Sequence, residues 1–218
     1  MQHKLLKMTL LALLTWAVVP SLNAQMAHIG DILCEGDLIV SPANYSANTH
    51  TAIGVVFYVD QTGQHGWAIA LEDAGSYSWG NGDTPLINYS GGMRQIIYDM
   101  DGYENTRIVR EHSTDHPAFY AVDFENGWYV PAIGQLNYLY GNLMEVNTTL
   151  SVLGGVPFST NESWEYWSST EYDGSNAWNF KSSGDMGDST YHSVIGGGWS
   201  EFYVHKWDSR RVRAARNF

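Results

Sequence analysis

The sequence predicts an α+β domain with a helical middle and a loop-rich β region toward its C-terminal end. Three stretches carry that prediction. Residues 164–180 hold three tryptophans, two tyrosines and a phenylalanine, broken by Asp173-Gly174-Ser175-Asn176. Asp-Gly is a strong turn dipeptide because glycine takes positive φ without steric cost. Trp178 and Phe180 alternate with Ala177 and Asn179 at the period of a strand, so these residues read as strand, turn, strand with the rings buried on one side. The run 52–60, rich in Ile, Val, Phe and Tyr, and the run 67–71 flank a Gln-Thr-Gly and His-Gly turn and read as a hairpin. Between these two β regions, Ile133, Leu136, Leu139 and Leu143 recur at helical spacing.

Taken in order, the chain begins with His3, Lys4 and Lys7, an apolar run over 10–19, and Asn23-Ala24. That is the charged, apolar, small-residue order of a secretory signal peptide, with cleavage expected after Ala24 and a mature domain over 25–218. Residues 29–40 read as two short strands around Glu35-Gly36-Asp37, and 41–51 as a polar loop. Residues 73–95 read as a long glycine-rich loop, pinned by Trp79 plugging into the core. Helices are expected over 103–112 and 117–124, with Pro117 suited to a first helical position. A brief strand at 128–130 precedes a helix opened by Pro131. Gly141 interrupts that helix, 143–153 resumes it, and Gly154-Gly155 stops it. Beyond Pro157 strands and loops follow to a last strand at 212–216. With neither an internal repeat nor a dividing linker, this order fits one domain whose ends meet in one sheet.

Composition excludes several functions. The chain carries a formal net charge of −12, which becomes about −14 once Lys4 and Lys7 leave with the signal. An acidic body lacks the basic face that drives nonspecific nucleic-acid binding, and no run after the signal is apolar enough to span a bilayer. The single cysteine, Cys34, rules out an intrachain disulfide and reads as a small buried apolar residue.

Candidate chemistry is sparse. Asp99, Asp101, Glu104 and Asn105 offer oxygen ligands of the kind calcium takes, but Asp-Gly ahead of a helix is a common cap and turn. Asp173, Asp185 and Asp188 read as solvated turn acids. His112 and His116 lie four apart, yet Pro117 breaks the helix that would align them for zinc. No nucleophile elbow or paired Cys and His occurs. Glu162, Glu165 and Glu171 flank the aromatic stretch, where glycosidase acids can sit, but acids are abundant throughout. No enzyme activity, cofactor or metal is expected. Arg210, Arg211, Arg213 and Arg216, with Lys206, form a basic cluster expected to pair with carboxylates and lock the last strand, Arg211 and Arg213 sharing one strand face.

A binding surface remains. Residues 171–209 mix Asn, Ser, Tyr, Asp, Gly and His with tryptophans, the combination of rigid rings and adaptable polar groups found in paratopes. Tyr172, Asp173, Asn176, Tyr191, His192, Trp199, Tyr203, His205 and Trp207 are the expected contacts for a protein or glycan ligand, with residues 29–160 as scaffold. A structural part in a cell-surface or fimbrial assembly is the alternative.

Four motifs also occur in register: Gly-Trp-Tyr-Val-Pro-Ala-Ile-Gly-Gln-Leu (127–136), Tyr-Trp-Ser-Ser-Thr-Glu (166–171), Ala-Trp-Asn-Phe (177–180) and Val-Arg-Ala-Ala-Arg (212–216). Together with 52–60 and 101–106 they resemble a bacterial exported family related to the Fibrobacter succinogenes major paralogous domain. That resemblance implies a C-type lectin-like fold, shared with formylglycine-generating enzymes and with the variable proteins of diversity-generating retroelements. The last group implies a further alternative, because adenine randomisation would enrich Asn, Ser, Tyr, Asp, Gly and His in these loops. The chain departs from calcium-dependent lectins in lacking the Glu-Pro-Asn or Gln-Pro-Asp triplet, the asparagine expected beside Trp207-Asp208, and the disulfides. The oxidase's cysteine pair is also missing.

Overall fold

The computed structural model describes residues 26–82, 85–87, 98–159, 164–181 and 201–218. The predicted signal segment 1–24 lies outside them. So do Tyr191, His192 and Trp199, and Glu162, Asp185 and Asp188.

The chain is α+β, with two sheets and a helical middle. β1 (Ile32–Cys34) and β2 (Leu38–Val40) form a tight antiparallel hairpin. Its loop holds Gly36 and Asp37 both at positive φ, the left-handed backbone that short hairpin loops demand. β3 (Ala52–Val59) and β4 (Gly66–Ala70) form the predicted second hairpin. β5 (Gly75–Ser78) corrects the loop expected over 73–95. Gly-Ser-Tyr-Ser has no apolar alternation; its strand state comes from pairing with a strand near the other end of the chain.

α1 (Gly102–His112) is capped by Asp101, whose carboxylate accepts from Glu104 N–H. α2 is shorter than expected, Pro117–Tyr120, followed by a 3-10 turn at Phe124–Asn126. β6 is only Trp128–Tyr129. α3 (Ile133–Gly141) begins two residues beyond Pro131, with Gln135 Oε1 accepting from Ala132 N–H across its first turn. α4 (Leu143–Leu153) ends on Gly154 in the left-handed conformation, as a glycine stop requires.

The aromatic stretch becomes β7 (Glu165–Glu171) and β8 (Asn176–Lys181), followed by β9 (Glu201–His205). The last expected strand is two: β10 (Ser209–Val212) and β11 (Ala215–Asn217), which belong to different sheets and are separated by a bend at Arg213-Ala214. The six-stranded sheet runs β2-β1-β3-β4-β11-β6 and the five-stranded one β5-β10-β7-β8-β9. Thus the two ends do meet in one sheet, β11 lying between β4 and β6.

Core packing follows strand alternation, and it corrects the one-sided burial expected of β7 and β8. Tyr166, Trp178 and Phe180 join Val55, Phe57, Ile69 and the inward faces of α3 and α4 in one cluster. Trp167 and Ala177, on the alternate positions, join Trp79, Val109, Phe119 and Val212 in a second. Successive residues of a strand point to opposite faces, so a sheet covered on both sides buries both sets.

Candidate functional site

The polar residues of 166–171 are bonded within the fold one after another. Ser168 Oγ donates to Trp178 O at 2.8 Å, and Ser168 O accepts from Trp79 Nε1 at 2.9 Å. Ser169 N–H donates to Pro131 O. Thr170 Oγ1 donates to Asp99 Oδ2 at 2.7 Å and accepts from Ile133 N–H at 2.9 Å. Asn105 Nδ2 also donates to Asp99 Oδ2 at 2.7 Å, and Asp101 N–H donates to Asp99 Oδ1. Asp99 and Asp101, the calcium candidates, therefore serve as a hub and a helix cap tying α1, α3 and β7. The large majority of buried polar groups in folded proteins are bonded in this way. Among the described residues, no three His, Cys, Asp or Glu side chains gather to hold a metal.

Glu171 and Lys206 are each 1% exposed and form an ion pair. Glu171 Oε2 accepts from both Leu86 and Ile87 N–H at 2.8 Å, while Lys206 Nζ donates to Gly174 O at 3.1 Å and lies 4.6 Å from the Trp79 ring. The pair fastens residues 85–87 and the 173–175 turn to β9 and the residue after it. Glu165 is engaged by Lys181 and Arg210.

The basic cluster pairs as the sequence suggested. Arg211 and Arg213 both meet Asp73, at 2.9 and 2.5 Å, and Arg216 meets Asp37 at 2.7 Å. Only Arg211 of the first two lies within β10; Arg213 sits in the bend. Cys34 is buried, and that burial raises its thiol pKa, which disfavours the thiolate a nucleophile needs. His112 and His116 come no closer than an edge contact of 6.3 Å between rings.

Of the expected contact residues, six are described and fall into two groups. Asp173 Oδ1 accepts from Ser175 N–H, Asn176 N–H and Asn176 Nδ2, so Asp173 and Asn176 build the turn between β7 and β8. The other four are rings. Tyr172 and Tyr203 stack at 3.9 Å with a 4° interplanar angle, and Trp178 meets both edge-on at 5.8 and 6.2 Å. His205 and Trp207 stack at 4.3 Å and 10°. Tyr203 is 45% and Trp207 57% exposed. The sequence predicts that Lys206 pairs with a carboxylate, but not that the partner is Glu171 or that both are buried. The pair's only local signal is a lysine between two aromatic positions, His205 and Trp207.

Elsewhere, a groove of about 340 Å³ is lined by Ile29, Gly30, Pro42, Met144, Glu145, Thr148 and Thr149. It holds one ionisable side chain. No helix among the described residues is long and apolar enough to cross a membrane.

No family model matches the chain, and no curated protein does. A solved structure of a fimbrial protein from Bacteroides ovatus is similar in fold, with a TM-score of 0.67 at 17% identity, covering 88% of this chain. The alignment takes in 49% of that protein, so the chain spans about half its length.

Proposed function

We propose that this chain is an exported, non-catalytic component of a cell-surface or fimbrial assembly, built on a C-type lectin-like scaffold. The observation that carries this reading is the fold likeness to a fimbrial protein over 88% of the chain. Two further features support it. The N-terminal residues have the pattern of a secretory signal, and Ser168, Thr170 and Glu171 of the aromatic stretch are spent on internal bonds.

The exposed, prestacked rings of Tyr203 and Trp207 favour a second role within the same reading, recognition of a ligand through residues 171–209. An antibody to the domain tests the assembly reading on intact, mechanically sheared cells. Surface labelling, recovery of the chain in the sheared high-mass fraction and an N-terminus at Gln25 are expected. Retention inside the sheared cells, with no surface labelling, would overturn it.

A further inference from the structure

β9 alternates between a buried and an exposed row. Val204 packs against the Trp79 cluster and Lys206 is buried. Tyr203 and His205, the alternate positions of the strand, are exposed, and so is Trp207 in the turn that follows it, which Asp208 N–H closes onto His205 O at 2.9 Å. Each outward ring is already held. Tyr203 lies flat on Tyr172, which leans with it on the edge of buried Trp178, and His205 lies flat on Trp207. Below them, Lys206 N–H donates to Ser175 O at 3.0 Å and its ammonium group is locked to Glu171. Tyr203 is thus held against the buried core before any ligand arrives, and His205 and Trp207 are stacked on one another, so less side-chain freedom remains to be lost on binding.

We propose that Tyr203, His205 and Trp207, backed by Tyr172, bind the apolar face of a neutral pyranose glycan. This rests on the recognition reading above and narrows it to one ligand class. Three properties select that class. An aromatic face carries the negative part of its quadrupole, and the C–H bonds on one face of a pyranose ring present a flat, weakly positive apolar surface that fits it. The size is right for a few sugar rings. Exposures of 45% and 57% leave roughly 200–250 Å² of Tyr203 and Trp207 available, an area that a few sugar rings can cover. Charge disfavours acidic polysaccharides, because the chain carries a formal net charge of −12 and the basic side chains nearest the rings in sequence, Lys206 and Arg210, are already paired, with Glu171 and with Asp208 at 3.5 Å.

Isothermal titration of the purified chain with mannan, laminarin, xylan and, as the anionic contrast, polygalacturonate tests the proposal. At least one neutral polymer should bind and polygalacturonate should not. Trp207→Ala should weaken that binding by about tenfold or more, Trp207→Phe by distinctly less, and both variants should keep the parent melting temperature. Failure of all three neutral polymers would overturn the proposal. So would preferential binding of polygalacturonate, an affinity unmoved by Trp207→Ala, or binding of tetramethylammonium in place of sugars, which would make the rings a cation site. A chain found in the sheared surface fraction but inert to glycans sinks this inference alone and leaves the assembly reading standing.

Discussion

Lys206 and Glu171 show how one buried contact can hold a surface in place. Removing two charges from water costs several kcal/mol per ion, and removing one partner leaves the other uncompensated at about 3–5 kcal/mol. Lys206→Met should therefore destabilise by about that amount in urea denaturation at pH 7. Adding Glu171→Gln should recover part of the loss, since the amide oxygen keeps an acceptor for Leu86 and Ile87 N–H without a buried charge. Strict additivity of the two variants would contradict this account. His116 makes a second prediction. It is 4% exposed, edge-on to Trp79 at 5.6 Å, and its pKa is lowered, first by burial and then by the charges of Lys206 and His112, against the opposing Ser113 carbonyl and Asp115. The unfolded chain takes up this proton near pH 6.5 while the folded one does so only at lower pH. Between those limits the unfolded state binds more protons, so stability is full above about pH 6.5 and falls as pH drops toward the folded value. His116→Phe should lose less stability than the parent between pH 7 and pH 5 in paired urea titrations. An unchanged loss would mean that other groups account for it.

The helices pack through glycines whose effects differ with their surroundings. At Gly102, the first residue of α1, a methyl group would lie 2.5 Å from Gln135 Oε1, 2.7 Å from Ala132 N and 2.8 Å from Val130 O. Two of those atoms are backbone and have no rotamer to yield. Gly141, at the end of α3, has nothing within 4 Å of the same position. Gly102→Ala should cost about 1–3 kcal/mol by overpacking, whereas Gly141→Ala should gain about 0.4–1 kcal/mol by restricting the unfolded chain. Thermal melts should show opposite shifts, at roughly 2–4 °C per kcal/mol for a domain near this size. Gly141 could be seen in the sequence as an interruption of the Ile133, Leu136, Leu139, Leu143 stripe. The tight seat of Gly102 could not, because the atoms it meets belong to the segment joining β6 to α3 and to the first turn of α3. The same division runs through the other elements. α1, α3, α4 and the β3–β4 hairpin were legible because their apolar periods are local. β5 was not, since Gly75–Ser78 is a strand only through its partner β10. In the candidate site, the exposed rings could be read from composition, whereas their stacking in pairs and the Glu171–Lys206 lock depend on three separated segments meeting.

At the scale of the whole molecule, the C-terminal residues close both sheets. β10 pairs antiparallel with β5 and parallel with β7, and three residues later β11 enters the other sheet between β4 and β6. Ala70 N–H and Ala74 N–H donate to Ala214 O and Val212 O on either side of the bend, and Arg213 in the bend pairs with Asp73. Local pattern identified a terminal strand but not its division, because Val212, Ala214 and Ala215 are all buried and give no alternation to mark the change of sheet. Such closure by distant strands carries a loop entropy that must be met before the pairing rewards it, and it makes β11 part of the unit that opens last. Ala215 faces Ile69 on one side and Tyr129 on the other, so β11 is an interior strand, flanked by β4 and by the short edge strand β6. β2, by contrast, is an edge strand whose Leu38 is 48% exposed. In native-state hydrogen exchange, the β11 amides should exchange with the free energy of global unfolding measured in urea, together with those of Val55 and Ile69, while β2 exchanges through local fraying several kcal/mol lower. If β11 exchanged with β2 instead, the last strand would be an appendage, and the two sheets would have to be held together by the two core clusters without it.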